Sequence, residues 1–237
     1  MQWNQIMSKI SPYIVKIETP SGIGTGFLCV YNSDKSLCGV ATAYHVVADS
    51  DEWEQPIRIT HHSSKTTKLF KEPDRFIFRS PKVDSAIVIF PKSDFPFPEE
   101  LIKLLPSEKP LDIGNEVGWV GFPAIDIYSL CFFSGIISAR KETLNAYLID
   151  GVAINGVSGG PVVYSTETEG VQIVGIITAY QANRQRGDAL PGLSIAQDVS
   201  YFHQVIKTIN SVDEAKKKKP EIEGKLDEQI HIKTKNG

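Results

Sequence analysis

Phe95-Pro96-Phe97-Pro98-Glu99-Glu100-Leu101-Ile102-Lys103-Leu104-Leu105-Pro106-Ser107-Glu108-Lys109-Pro110 is where the rhythm of the chain breaks. Four prolines and the Glu99-Glu100 pair stand here between two series of short β-type segments. Proline fixes φ and lacks a backbone donor, so the stretch suits a connection between two halves of a fold. Upstream, Tyr13 to Ile17, Gly24 to Tyr31, Leu37 to Ala43, Ile57 to Thr60, Arg75 to Phe78 and Ser85 to Phe90 read as strands. They are rich in β-branched and aromatic residues and are separated by polar or Gly/Pro turns, with Asn32 to Ser36 the clearest hairpin connection. Downstream, Glu116 to Gly121, Leu130 to Arg140, Ala146 to Ile149, Pro161 to Tyr164, Val171 to Ala179 and Leu193 to Ala196 form a second series. Two runs of short strands joined once predict an all-β chain of two packed antiparallel barrels.

Helical periodicity is confined to the ends. Trp3, Ile6, Met7 and Ile10 repeat at helical spacing until Ser11-Pro12 closes the pattern, predicting a short N-terminal helix. Asp198 stands ready to cap a terminal helix whose apolar face is Tyr201, Phe202, Val205, Ile206 and Ile209. The expected organisation is one unit over 1–212, with a first barrel at about 13–94, a second at about 111–197 and a helix at about 199–210. Residues 213–237, with the basic run Lys216 to Lys219, read as a charged tail or linker too poor in large apolar residues to order itself.

With 237 residues the chain has length enough for a substantial core. A net charge of −3 gives no general attraction to nucleic acid or anionic membrane, so neither is an expected partner. Met1 to Glu18 lacks an unbroken apolar core, so no secretory signal is expected, and no run of roughly eighteen apolar residues offers a membrane span. Cys29, Cys38 and Cys131 are odd in number and lack metal-ligand spacing. Cys29 and Cys38 flank a hairpin turn, which offers a face-to-face arrangement as the alternative, but three reduced thiols in a cytoplasmic protein is the expectation. No metal or cofactor is expected.

Three segments carry chemistry. Thr42-Ala43-Tyr44-His45 places a histidine just past a strand end; Val83-Asp84-Ser85-Ala86-Ile87-Val88-Ile89 places an aspartate at the head of an aliphatic strand. Asn155-Gly156-Val157-Ser158-Gly159-Gly160-Pro161 places a serine in a glycine-dense loop. A serine hydroxyl is a weak nucleophile until an imidazole takes its proton, and that imidazole needs a carboxylate on its other nitrogen. The oxyanion formed by attack needs donors already aimed at it. Gly156 adopts conformations costly to other residues, so its N–H and that of Ser158 are the candidate oxyanion donors. His61-His62 in polar surroundings reads as an exposed loop; His203 on the terminal helix and His231 in the tail are poor rivals to His45. Asp74 and Asp94 do not lead into an aliphatic strand as Asp84 does. Gly22, Gly24 and Gly26 lack the third glycine of a dinucleotide loop, Phe27 standing in its place.

In these segments the sequence resembles the trypsin-like serine protease family, most nearly its intracellular and Deg-type bacterial branch. Thr42 to His45, Asp84 to Val88 and Gly156 to Pro161 match its three motifs in the same order. Gly22 to Phe27, Gly118 to Pro123, Ser134 to Ser138 and Gly175 to Thr178 resemble further strands of its barrels, so the resemblance covers roughly residues 1–210. It implies a serine endopeptidase acting through an acyl-enzyme, with a triad of His45, Asp84 and Ser158 and a polypeptide substrate. It further implies a substrate pocket formed by Val152, Thr178, Ala179 and Tyr180, and a hydrogen bond from the Thr178 hydroxyl to a buried Asp84. Two departures stand out: Val157 replaces the aspartate of the secreted enzymes, and Tyr44 replaces a small residue. A catalytically silent barrel that binds peptides or proteins is the alternative, as is a protease effector module of a larger assembly, tethered through its tail or controlled by a regulatory protein.

Overall fold

The computed structural model describes the backbone of residues 2–185 and 188–235, and the side chains of residues 2–180 and 192–217. The first sheet is built from β1 (Ile14–Thr19), β2 (Gly22–Tyr31), β3 (Leu37–Thr42), β4 (Ile57–His61), β5 (Thr67–Phe70), β6 (Phe76–Ser80) and β7 (Ser85–Pro91). Its antiparallel order is β5-β4-β1-β2-β3-β7-β6; among the described residues no β5–β6 ladder closes it, so it curls as a half-barrel. The second sheet holds β8 (Lys103–Leu104), β9 (Glu116–Gly121), β10 (Cys131–Lys141), β11 (Ala146–Asp150), β12 (Pro161–Thr166), β13 (Gly170–Gln185) and β14 (Asp188–Asp198). Its order is β12-β9-β10-β11-β14-β13-β8, and a β12–β13 ladder closes it into a barrel. The helices are α1 (Trp3–Ile10), α2 (Tyr44–Glu52) and α3 (Ser200–Lys235).

The unbroken apolar run after Asp84 has a physical reason. Along β7, Ala86, Val88 and Phe90 point into the core of the first sheet, while Ile87 points into a second core shared with the other barrel. In β3 the same alternation sends Cys38 and Val40 one way and Ala41 the other. Strands covered on both faces need apolar residues at every position. The shared core joins Phe27, Ala41 and Ile87 to Trp119, Val157 and Ile176 of the second barrel, and to Ile6 and Ile10 of α1 and Phe202 of α3. Both expected terminal helices are therefore present and docked by their apolar faces, and Asp198 Oδ1 accepts the Ser200 N–H at 3.0 Å.

Several sequence expectations need correction. The segment after β3 continues as a helix, α2, where the sequence pattern showed none. Helix α3 runs on to Lys235, past residue 210 and through the charged segment. His231, and the far end of the Lys216–Lys219 run, lie outside the described side chains. His61 is no exposed loop residue: it ends β4 and is 2% exposed. The three cysteines are free, as expected, and only the alternative of Cys29 facing Cys38 fails: the two lie in different cores, a bulge following Leu28 in the β2–β3 ladder.

Candidate functional site

His45 is the second residue of α2, a helix whose first turn has no side-chain cap of its own. Its orphan N–H groups are taken instead by Asp84: the Tyr44 N–H donates to the Asp84 carbonyl at 3.1 Å and the His45 N–H to Asp84 Oδ1 at 2.9 Å. The second carboxylate oxygen, Oδ2, lies 2.7 Å from His45 Nδ1. One aspartate thus fixes both the helix that carries the imidazole and the orientation of the ring. It does so from a left-handed backbone conformation, φ 44° and ψ 48°, at the end of a short 3-10 turn over Pro81–Val83. Asp is among the few residues other than glycine that tolerate this region. Both side chains remain reachable, with His45 48% and Asp84 33% exposed.

Ser158 sits half-buried in the loop before β12. Gly156 and Gly159 have φ of +90° and +81°, and a Cβ at either would strike backbone oxygens, of Phe122 and Thr25 respectively. Glycine is required at both on two counts. The donors of this loop fall into two sets. The N–H groups of Val157, Gly159 and Gly160 donate to the carbonyls of Ile154, Ile177 and Val157 at 3.0, 2.7 and 2.9 Å. Among the described residues, the N–H groups of Gly156 and Ser158 have no acceptor. The preceding carbonyls explain how they are aimed: Asn155 O accepts from the Ala124 N–H at 2.6 Å and Val157 O accepts from the Gly160 N–H. In a trans peptide the N–H points opposite the carbonyl, so tying down each oxygen turns the following N–H outward.

A cavity of about 190 Å³ brings His45 and Ser158 together, along with Thr19, Ser21, Gly22, Ile23, Val46, Asn155 and Gly156. Among the described residues no hydrogen bond joins the His45 ring to the Ser158 hydroxyl. The sequence-derived pocket residues lie elsewhere: Val152, Thr178, Ala179 and Tyr180 do not line this cavity. Val152 and Tyr180 are 52% and 37% exposed. The Thr178 hydroxyl donates to Ile195 O at 3.4 Å and not to Asp84, which is partly exposed rather than buried, so that expected bond is corrected.

Sequence reading missed Thr25. Its N–H donates to Ser158 O at 2.8 Å, and its buried hydroxyl donates to Gly156 O at 2.8 Å while accepting the Phe122 N–H at 3.0 Å. The only local signal is a hydroxyl residue between Gly24 and Gly26 in a strand otherwise apolar at its centre. Val157 is fully buried in the shared core.

Among curated proteins no match is found. Among solved structures the chain is similar to a serine endoprotease from Yersinia pestis, at 20% identity and a TM-score of 0.62. That alignment covers 88% of this chain and 66% of the Yersinia chain, so this chain spans just under two thirds of its length. It is also similar to the inactive mutant form of Rv3671c from M. tuberculosis, at 20% identity and a TM-score of 0.57, over 87% of this chain and 91% of that one. At such identities these two likenesses establish the fold. The trypsin-like peptidase domain family matches residues 24–176, more than half of the chain, and the protein belongs to that family.

Proposed function

We propose that the protein is a serine endopeptidase in which Ser158 is the nucleophile, His45 the general base and Asp84 the orienting carboxylate. The observation that carries this reading is the 2.7 Å approach of Asp84 Oδ2 to His45 Nδ1 beside a cavity that also holds Ser158. With Nδ1–H held by Asp84, Nε2 is the free acceptor. Ser158 Oγ attacks the substrate carbonyl carbon as its proton passes to His45 Nε2. The oxyanion takes hydrogen bonds from the unpartnered N–H groups of Gly156 and Ser158. Collapse breaks the C–N bond, and the departing amine takes the proton from His45, leaving an ester on Ser158. Water, deprotonated by His45, then hydrolyses that ester. The missing Ser158–His45 bond fits a substrate-free site, where such contacts are often long and tighten on binding.

Val152, Thr178, Ala179 and Tyr180 lie outside the cavity that holds Ser158, but the resemblance places them around the side chain before the scissile bond, and none carries a carboxylate, in accord with preference for a small or medium apolar side chain there. A peptide library should show that preference, and dominance of Arg or Lys would overturn it. The central test is a fluorophosphonate probe. It should label wild type and leave Ser158→Ala unlabelled, with turnover of a protein substrate lowered by about six orders of magnitude. Equal turnover by the two proteins would sink the assignment.

A further inference from the structure

A second cavity, of about 330 Å³, lies where the first sheet meets the loop between β9 and β10. Lys16, Thr60, His62 and Lys65 line it from the first sheet, and Phe122, Ile127 and Tyr128 from the loop. Its charge is one-sided. Lys65 has no ion-pair partner among the described residues, and Lys16 meets one carboxylate, Glu18, at 3.4 Å. Asp126, the nearest acid in the loop, accepts the N–H groups of Tyr128 and Ser129, each at 3.2 Å. The His62 ring lies against Phe122, its Nδ1 is buried, and that nitrogen has no hydrogen-bond partner. The cavity thus joins two lysines to a histidine whose buried ring nitrogen is unsatisfied, a polar lining with its excess of charge positive. Burial first, and then the neighbouring Lys65 and His61, hold the His62 ring below its ordinary pKa.

The aromatic wall narrows the choice of anion. Tyr128 is 81% exposed, with Lys16 Nζ 5.8 Å from its ring centre, so the cavity offers an apolar face beside its cations. A carboxylate on a short aliphatic stem matches both. We propose that this cavity binds a glutamate or aspartate side chain of an extended polypeptide. The chain's overall charge is −3, so this attraction is a local feature and not a property of the whole surface. One lining residue, Phe122, connects to the serine loop: its N–H donates to Thr25 Oγ1, whose hydroxyl donates to Gly156 O, and, two residues on, the Ala124 N–H donates to Asn155 O. The proposal rests on the peptidase reading only for where the acidic segment comes from: the substrate itself or a separate polypeptide.

Fluorescein-labelled tetraglutamate is titrated onto the Ser158→Ala chain and followed by anisotropy, a readout independent of whether the chain is a peptidase. Saturable binding is expected, weakened at least tenfold by Lys65→Glu and by Lys16→Gln and unchanged by Lys109→Glu in the linker. No binding, or binding indifferent to Lys65 and Lys16, overturns the proposal. Wild-type cleavage of a neutral peptide then separates the two sources. A gain that needs the glutamates joined to the substrate assigns them to the substrate, and a gain from free tetraglutamate assigns them to a partner; both gains must vanish in Lys65→Glu. Failure of the labelling and turnover tests at Ser158 would leave the binding result untouched.

Discussion

Thr25 directs its N–H, its hydroxyl and, through Thr42 Oγ1 at 2.7 Å, its carbonyl into one network around the serine loop. Thr25→Val keeps the shape but leaves Gly156 O and the Phe122 N–H buried without partners, a loss of about 1–3 kcal/mol. Denaturant unfolding should show that loss, and on the proposed mechanism kcat should fall with little change in KM, because the Gly156 and Ser158 N–H groups are displaced. Unchanged kcat in a folded Thr25→Val protein would refute the role. At this scale the sequence was uneven in what it disclosed. The meeting of His45 with Asp84, and the cavity that His45 shares with Ser158, were foreseeable because each residue sits in a short local pattern. The part played by Thr25 was not, because its partners lie 131 and 97 residues away and a threonine in a strand is unremarked. The Thr178 expectation failed for a related reason: a bond inferred from resemblance depends on how deeply Asp84 is covered, which no local pattern records.

Helix α2 shows what element-scale reading loses. Its buried residues, Tyr44, Val47 and Ser50, make no apolar stripe, and its cap comes from Asp84 in another segment. Neither periodicity nor a start signal was therefore available. Its far end is anchored too: Asp51 forms an ion pair with Arg79 of β6, and the Tyr44 hydroxyl donates to Asp51 Oδ2 at 3.3 Å. β6 leads directly into the turn that carries Asp84, so the pair ties the histidine-bearing helix to the aspartate-bearing strand. Ion pairs this exposed contribute little to stability, so Arg79→Met should unfold nearly as wild type does. Catalysis is more sensitive to position, and kcat should drop about tenfold, or about 1.4 kcal/mol in the barrier, at constant KM. A charge swap, Arg79→Asp with Asp51→Arg, should recover part of it. An Arg79→Met protein with wild-type kcat would show that Asp84 alone sets the geometry.

At the scale of the molecule, the proline-rich break and the two strand series were enough to anticipate two barrels. What they did not show was that the first sheet stays open at β5 and β6, or that His61 is sealed at the end of β4. His61 Nε2–H donates to Pro12 O at 2.8 Å, and Nδ1 faces the Ser64 hydroxyl at 2.8 Å. Burial lowers the pKa of His61, and of the neighbouring His62, from the ordinary 6.5. Above about pH 6.5 both rings are neutral, folded or unfolded, and their contribution is fully present. As pH falls below that value, the unfolded chain takes up protons that the folded chain refuses. Stability then declines by up to about 1.4 kcal/mol per pH unit for each differential proton, until the folded pKa is reached. Surface carboxylates act in a lower window: Glu99, held down to about 2 chiefly by hydrogen bonds from Lys92 and Lys35, loses its contribution only as pH falls from 4.5 toward that value. At the alkaline end, burial pushes Cys29 and Cys38 up to about 12 from 9.0, so stability falls once the unfolded thiols ionise above 9. Denaturant titrations should therefore show a plateau between about pH 6.5 and 9, with a fall toward pH 5 that His61→Gln makes shallower. A stability flat from pH 8 to 5, or an acid slope identical in His61→Gln, would mean that His61 is not held neutral by the fold.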